Sequence, residues 1–483
     1  MVKATRRSAV LLGLIALGLG VSSLPAFAEV QNVKVSGDLT VRAIQRHNMD
    51  LRANSGALDD DTFLMSTTGL NFGADLTENV SAFIRLANER NWDQNTTGSG
   101  SFGMSQAYVT LKELFYSPLT VRIGTQPIKW GRGFILGSSM LQNTLGGAAG
   151  TLGSLIGAGG DRNGSITSNE LTDFTSFDAI RATLDLSGVA GLGIPLNVDG
   201  VYIKLDENTV AQGDDVNIWG LNVGTHADAM HSEAEGYFLV KQDGGRALVT
   251  AATGLGNERG AMSVLGLRGS AQPVEGLSTY GELAYEFGTQ VVDLDGTRRQ
   301  GSRTQGWAMN LGADYTFAHV ATTPKLGGEW VYYSGKKDGT NPVAGWQPVA
   351  PSYFTTMIRS YQTRSTLTGL YPVSQAGVTS AFTNQSELAL YGSLKPMEDL
   401  SVGSRLSWFV EPDGSRTPAG SQAKKHSFLG TEWDTHLSYA YTDDVQFGVS
   451  YGIFMPGSTF RNAGDNGDRN RAQELLSSVS VKF

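Results

Sequence analysis

Apolar and polar residues alternate along much of this chain with a period of two. Leu277, Thr279, Gly281, Leu283, Tyr285 and Phe287 share one face of a segment whose other face carries Ser278, Tyr280, Glu282 and Glu286. Trp307, Met309, Leu311, Ala313, Tyr315 and Phe317 oppose Asn310, Gly312 and Asp314; Val445, Phe447, Val449, Tyr451, Ile453 and Met455 oppose Gln446, Ser450 and Gly452. Alternation held over six apolar positions is the pattern of a strand with one greasy and one wet face. The closing residues repeat it, with Val479, Val481 and Phe483 between Ser478, Ser480 and Lys482. The pattern from Glu233 to Lys241 leaves its facing unassigned.

The connections alternate as well. Short turns are predicted at Thr77-Glu78-Asn79, Ser117-Pro118, Gly188 to Gly193, His226 to Met230, Gln272 to Glu275, Ala318 to Thr323, Lys395 to Glu398 and Thr442-Asp443-Asp444. Between them lie polar stretches at about 48–61, 92–102, 131–172, 207–213, 243–256, 289–302, 336–383, 411–426 and 457–472. Eight short and nine long connections join eighteen strands. Strict short–long alternation, with apolar faces on every strand, predicts an all-β, antiparallel transmembrane barrel with short periplasmic turns and long outer loops. Aromatic residues near strand ends (Trp307, Phe317, Trp408, Trp433, Tyr441) suit the interfacial girdles.

Export fits this reading. Lys3, Arg6 and Arg7 precede a short apolar run, Val10 to Leu19, and the small-residue site Ala26-Phe27-Ala28. This is the pattern of a secretory signal peptide over 1–28, leaving 29–483 as a single barrel domain. Its removal takes three bases and shifts the formal charge from −9 to −12. An acidic balance argues against a general nucleic-acid binder. The sequence has 0 cysteines, which excludes disulfides and thiolate metal sites. Glycine supplies 61 of 483 residues, against a usual share of about 7%, which suits tilted, curved strands.

Taking the polar face of each strand as inward yields a charge map. One half of the wall leans basic, with Lys34, Arg42, Arg46, Arg85, Lys112, Arg122 and Arg181 among Asp38, Asp75, Glu89 and Asp185. The other half leans acidic, with Glu282, Glu286, Asp314, Glu329, Glu387, Glu432 and Asp434 against Lys325, Lys395 and Arg405. The candidate pore-lining and selectivity residues are Arg42, Arg85, Arg122, Arg181, Glu282, Glu329, Glu387, Arg405, Glu432 and Asp434. Such a transverse field sorts solutes by charge; the competing reading is charges that are solvated or paired along the wall and select nothing. The long third loop, 131–172, is uncharged from Gly133 to Gly160 and spaces Leu141, Leu145, Ala148, Leu152 and Leu155 as one or two helical turns would. It either folds inward and narrows the pore or packs at the rim. Loop 336–383, with Trp346, Tyr353, Phe354 and Tyr361, serves as a lid or a contact surface.

Three stretches carry a resemblance: Thr68 to Trp92, Gln106 to Gly137 and Glu432 to Gly457. Gly124, Gln126, Trp130, Gly131, Gly133 and Gly137 in the second, and Glu432, Asp434 and Phe454-Met455-Pro456-Gly457 in the third, resemble the alginate-export family of eighteen-stranded outer-membrane porins. Thr125 stands where that family often has Arg, and Arg132 where it usually has an acid. The resemblance implies a channel in the bacterial outer membrane. The family's best-known members pass an anionic polysaccharide through an arginine-rich lumen. The mixed charge here fits a wider range of small or oligomeric hydrophilic solutes, anionic saccharides among them. The terminal Phe483 resembles the residue that barrel-assembly machinery reads. Lipid and lipopolysaccharide are the other expected partners.

The enzyme class has little support. His436 lies near Asp434 and Glu432 on the inferred inner face, the arrangement of a hydrogen-bonded wall histidine. His226 and His231 share a turn with no further metal ligand. The acidic run Asp59-Asp60-Asp61 suits calcium on an outer loop; no cofactor is implied. The alternative to a channel is a plugged structural or attachment barrel whose long outer loops bind a partner.

Overall fold

The computed structural model describes residues 32–49, 51, 60–92, 102–139, 171–187, 195–206, 215–244, 260–294, 297–335, 345–360, 382–415, 426–459 and 470–483. The predicted signal peptide, Asp59, the 188–193 turn, the helical spacing within loop 131–172, and residues 336–344 and 361–381 lie outside them.

Eighteen antiparallel strands form one sheet. They are β1 (Asn32–His47), β2 (Asp61–Thr77), β3 (Val80–Asn91), β4 (Gly103–Leu111), β5 (Leu119–Gln126) and β6 (Phe177–Asp185). Then come β7 (Leu196–Asp206), β8 (Val216–Ala227), β9 (Ser232–Asp243), β10 (Gly260–Val274), β11 (Leu277–Leu294) and β12 (Thr297–Thr316). The last six are β13 (Lys325–Tyr333), β14 (Gln385–Met397), β15 (Leu400–Ser415), β16 (His426–Ala440), β17 (Val445–Pro456) and β18 (Ala472–Lys482). Each strand pairs with its sequence neighbours, and β1 pairs with β18 from Asp38↔Lys482 to His47↔Gln473. The sheet therefore closes, leaving no edge with unpaired backbone groups for lipid to meet. The seam ends where the Gly37 and Phe483 backbones exchange hydrogen bonds of 2.8 and 3.0 Å.

The predicted alternation places large apolar side chains outward. Leu265, Leu283, Trp307, Leu311, Trp330, Leu388, Trp433 and Val449 are all exposed on the outer face. Two predicted connections differ, the shorter departure being at 411–426, where β15 runs on to Ser415 and pairs it with His426. Residues 289–302 read as a polar loop, yet β11 and β12 stay paired out to Leu294↔Thr297. A largely polar composition fits a paired ribbon as well as a loop and does not separate the two.

The inner face has two levels. Near the short turns it is polar and reached by water, with Lys34, Asp75, Lys112, His226, Glu233, Lys395 and His436 exposed. Nearer the long loops, the inner face of β6 to β13 carries apolar residues. Ala179, Val201, Ile203, Ile218, Leu239, Val264, Ala284, Ala308, Val331 and Tyr333 are buried there. Both faces of these strands are apolar because chain from the connections fills the lumen. Ile128, Trp130, Phe134, Ile135 and Leu136 after β5, and Trp346, Val349 and Ala350 after β13, complete the same buried cluster. A second cluster joins Ile358 to Phe409, Leu429 and Phe454, and a third packs Leu171 on Ile44, Phe63 and Met65.

Candidate functional site: the barrel lumen

Two inward segments meet inside the barrel. Leu136 and Ala350 form a parallel bridge. Around it Gly137 N donates to Ala350 O at 2.8 Å, Ala350 N to Ile135 O at 3.1 Å and Ser352 N to Gly133 O at 2.8 Å. The first segment turns sharply at Trp130-Gly131-Arg132-Gly133, where Gly133 N donates to Trp130 O at 2.9 Å. Gly131 and Gly133 have φ of 53° and 77°, a region that glycine enters without strain. A Cβ on Gly131 would lie 2.5 Å from Arg268 Cδ, so this turn rests directly on the wall.

Aromatic and charged side chains fasten the first segment. Trp130 Nε1 donates to Asp199 Oδ2 at 2.9 Å. Phe134 stacks on Tyr333 with ring centroids 5.2 Å apart. The Arg132 guanidinium lies 3.7 Å over the Tyr280 ring and 4.9 Å from that of Tyr353. Farther along, the Thr172 hydroxyl donates to both Glu89 oxygens at 3.2 and 3.0 Å, and Asp173 N donates to Glu89 as well.

The second segment, 345–359, runs along the acidic half of the wall. Gln347 N donates to Glu286 at 3.1 Å, and the Tyr353 hydroxyl donates to Glu329. Burial and the Glu329 charge hold that hydroxyl above its ordinary pKa, keeping it a donor. Thr355 Oγ1 donates to Glu387 at 2.9 Å, and Met357 N to Asp434 Oδ2 at 3.4 Å. Ile358 N and Arg359 N donate to the two Glu432 oxygens at 2.6 and 3.1 Å.

All ten candidate pore residues lie on the inner face, but at different levels and with different partners. Glu432 and Asp434 are fully buried, and Glu282, Glu329 and Glu387 nearly so. Glu282 accepts from the Tyr237 hydroxyl at 2.7 Å. Arg405 bridges Glu329 at 2.9 Å and Glu387 at 2.7 Å. Arg85 is bound between Asp38 and Asp173, each at 2.7 Å, and Arg181 is held by Asp199 at 2.8 Å. Arg42 donates to Thr67 Oγ1 at 3.0 Å. Arg122 lies over the Tyr108 ring at 4.5 Å, donates to Thr110 Oγ1 at 3.3 Å and makes no ion pair among the described residues. The structure thus brings Glu329, Glu387 and Arg405 into one cluster, with Glu432 and Asp434 beside the end of the second segment. The basic residues stay spread along the far wall.

Other lumen residues escaped the sequence reading. Arg268 pairs with Glu235 at 2.5 Å and Glu233 at 3.3 Å. Asp199 joins Trp130 to Arg181, and Lys241 Nζ donates to Val349 O at 3.3 Å. Assigning the Glu233–Lys241 face would have found Lys241, because Glu235, Tyr237, Leu239 and Lys241 point inward together. His436 Nδ1 meets Ser450 Oγ at 2.9 Å. Of the acidic run, Asp60 meets His47 Nδ1 at 2.5 Å, and among the described residues no group of three metal-ligating side chains is found.

A family model described as alginate export matches residues 201–473. Among solved structures, OccK11 (OpdR) of Pseudomonas aeruginosa superposes with a TM-score of 0.51 at 11% identity, covering 94% of this chain and 96% of its own. A BenF-like porin from Pseudomonas fluorescens Pf-5 superposes at 0.50 with 10% identity, over 94% and 100% of the two chains. The Pseudomonas aeruginosa protein opdK gives 0.50 at 10% identity, over 94% and 99%. At such identities the likeness is one of fold. None of the curated proteins matches in sequence.

Proposed function

The chain belongs to the alginate export family and lies in the bacterial outer membrane, and from that premise we propose a channel through which small or oligomeric hydrophilic solutes pass down their gradients, anionic saccharides among them. One observation carries the reading. At the short-turn level the closed wall presents charged and polar side chains to water around the ring, Lys34 and Asp75 on one arc, His226 and Glu233 on another, Lys395 and His436 on a third. A barrel that served only as a scaffold gains nothing from keeping such a ring hydrated. Above it the inward segments narrow the lumen, so size as well as charge limits what passes. Solutes drawn through meet, on the basic side, the Arg122 guanidinium, which makes no ion pair among the described residues. The outer face meets lipid and lipopolysaccharide.

Purified protein in planar bilayers tests this. Discrete current steps in simple salt, with uptake of uronic-acid oligomers into proteoliposomes, are the expected result. A properly closed barrel that passes no current refutes the channel and favours the attachment role.

A further inference from the structure

The second inward segment is fastened in an unusual way. Residues 345–359 reach the wall chiefly through donors, and the acceptors are carboxylates on consecutive parts of the acidic arc: Glu286 on β11, Glu329 on β13, Glu387 on β14, and Glu432 with Asp434 on β16. Further contacts help to hold the seat, among them Arg359 donating to Gln385 and Trp346 N to Ser334 O at 3.1 Å. Lys241 donates to carbonyls of Pro348 and Val349 at 3.4 and 3.3 Å. Trp346 lies in a notch at Gly306, where an added Cβ would stand 2.4 Å from Trp346 Cα.

The charges beneath the segment do not balance on the wall alone. Five acids lie there. Among the described residues the wall bases beside them are Arg405, bound to Glu329 and Glu387, and Lys241. The wall adds the hydroxyls of Thr304 to Glu286 and Ser407 to Glu387; the other compensation among the described residues comes from inward-folded chain: the backbone N–H groups of Gln347, Met357, Ile358 and Arg359, the Arg359 guanidinium stacked 5.4 Å from Phe409, and Arg132 at 4.0 Å from Glu329. Buried carboxylates need such donors. Water would serve them as well once it reached them, whereas the segment's donors are specific to this seat.

We infer that residues 345–359 are a releasable strap, and that its withdrawal uncovers a cation-selective stripe formed by Glu286, Glu329, Glu387, Glu432 and Asp434. With the strap seated, these acids are neutralised by donors and the passage is narrow. With it withdrawn, five carboxylates line a wider lumen against two wall bases, and cations are favoured. Opening therefore changes charge selectivity together with size. The inference rests on the channel reading above.

A test should move the strap without touching any acid. Gly306→Ala wedges the strap's backbone from the wall, and Trp346→Ala removes the buried side chain that anchors it in the lumen cluster. The full-length wild type and both variants are purified, their closed barrels checked by heat-modifiable electrophoretic mobility, and their currents recorded in a salt gradient. Both variants should raise single-channel conductance by about twofold or more and move the reversal potential toward cations. Adding Glu286→Gln and Glu432→Gln to Gly306→Ala should keep the conductance and reverse part of that move. Two variants that conduct and select like a conducting wild type overturn the strap and leave the channel standing, as does a conductance rise with a shift toward anions. Silence from all three closed barrels overturns the channel and the strap with it.

Discussion

Replacing Arg405 by Met removes one guanidinium from the acidic wall and keeps most of its apolar stem. Arg405 stands on β15 with Nη2 2.9 Å from Glu329 and 2.7 Å from Glu387, while its Nε donates to Ser407 Oγ at 3.1 Å. The arginine side chain is 11% exposed and the glutamates 1% and 5%. An exposed ion pair contributes about 0–1 kcal/mol, whereas breaking a buried one leaves an uncompensated charge and costs about 3–5 kcal/mol. The low end applies, because Glu329 keeps the Tyr353 hydroxyl and Glu387 keeps those of Thr355 and Ser407. The expected loss is about 3 kcal/mol, a factor of about a hundred in the folding equilibrium. Urea titration of micelle-folded protein, followed by tryptophan emission and electrophoretic mobility, reads it directly. The triple variant R405M/E329Q/E387Q should recover most of the loss, since replacing a whole buried charge cluster by neutral groups is near neutral. A cost below about 1 kcal/mol with no recovery in the triple variant would mean that water bathes the cluster; the two-level lumen would then be wrong at this point.

Three further outcomes are expected. Gly131→Val places a β-branched residue at φ 53° with its Cβ 2.5 Å from Arg268 Cδ, which should cost about 1–3 kcal/mol in urea titration and raise conductance as the turn leaves the wall. Arg122→Gln should move the reversal potential toward cations with stability changed by less than about 0.5 kcal/mol. Arg85→Gln, by contrast, loses contacts of 2.7 Å to both Asp38 and Asp173 and should cost about 1–3 kcal/mol; equal stability of the two variants would contradict the pairing described here. Leu265→Arg on the lipid face of β10 should cost about 2–4 kcal/mol, far more than Ser270→Arg on the inner face of the same strand, and equal costs would reverse the assigned facing.

The strand count and the alternation of turns were legible because period-two patterning and turn chemistry are local properties. Leu277 to Phe287 declares its outer face from the residues themselves. The interior was less legible, for a physical reason. Alternation is clean only where one face meets water, and the inner faces of β6 to β13 meet Trp130, Phe134 and Trp346 instead. Inward apolar residues such as Ile203, Ile218 and Leu239 therefore look like part of a continuous apolar run. This is also why the facing of Glu233 to Lys241 could not be read. The acids of the second half of the chain were readable as inner-face residues, but their hydrogen-bond partners lie in a connection whose course the pattern did not reveal. Nothing near Glu432 in sequence points to Ile358. The paired stretch out to Leu294↔Thr297 escaped because its largely polar composition matches that of a loop.

The acids and the inward segments have a common cause in the closed sheet. In a closed barrel the backbone groups of the wall are committed to the ladder, each strand bonded on both sides. A segment folded into the lumen still carries its own N–H and C=O groups, which are costly to bury unpaired. Some can pair between two inward segments, as they do from Gly133 to Ser352. Past the end of β13 the ladder leaves Ser334 O free to accept from Trp346 N at 3.1 Å, and most of the others are met by side chains. Donors of the segment call for acceptors, which the wall supplies as Glu286, Glu432, Asp434 and Glu89; its carbonyls call for donors, supplied by Lys241 at Val349 and by Thr383 at Trp346. Wall charge in such a barrel thus follows where chain is folded inside as well as what passes through. The two contributions separate experimentally: a carboxylate that seats inward chain affects stability and selectivity together, as Glu432 should, whereas a charge that serves only the passage affects selectivity alone, as Arg122 should.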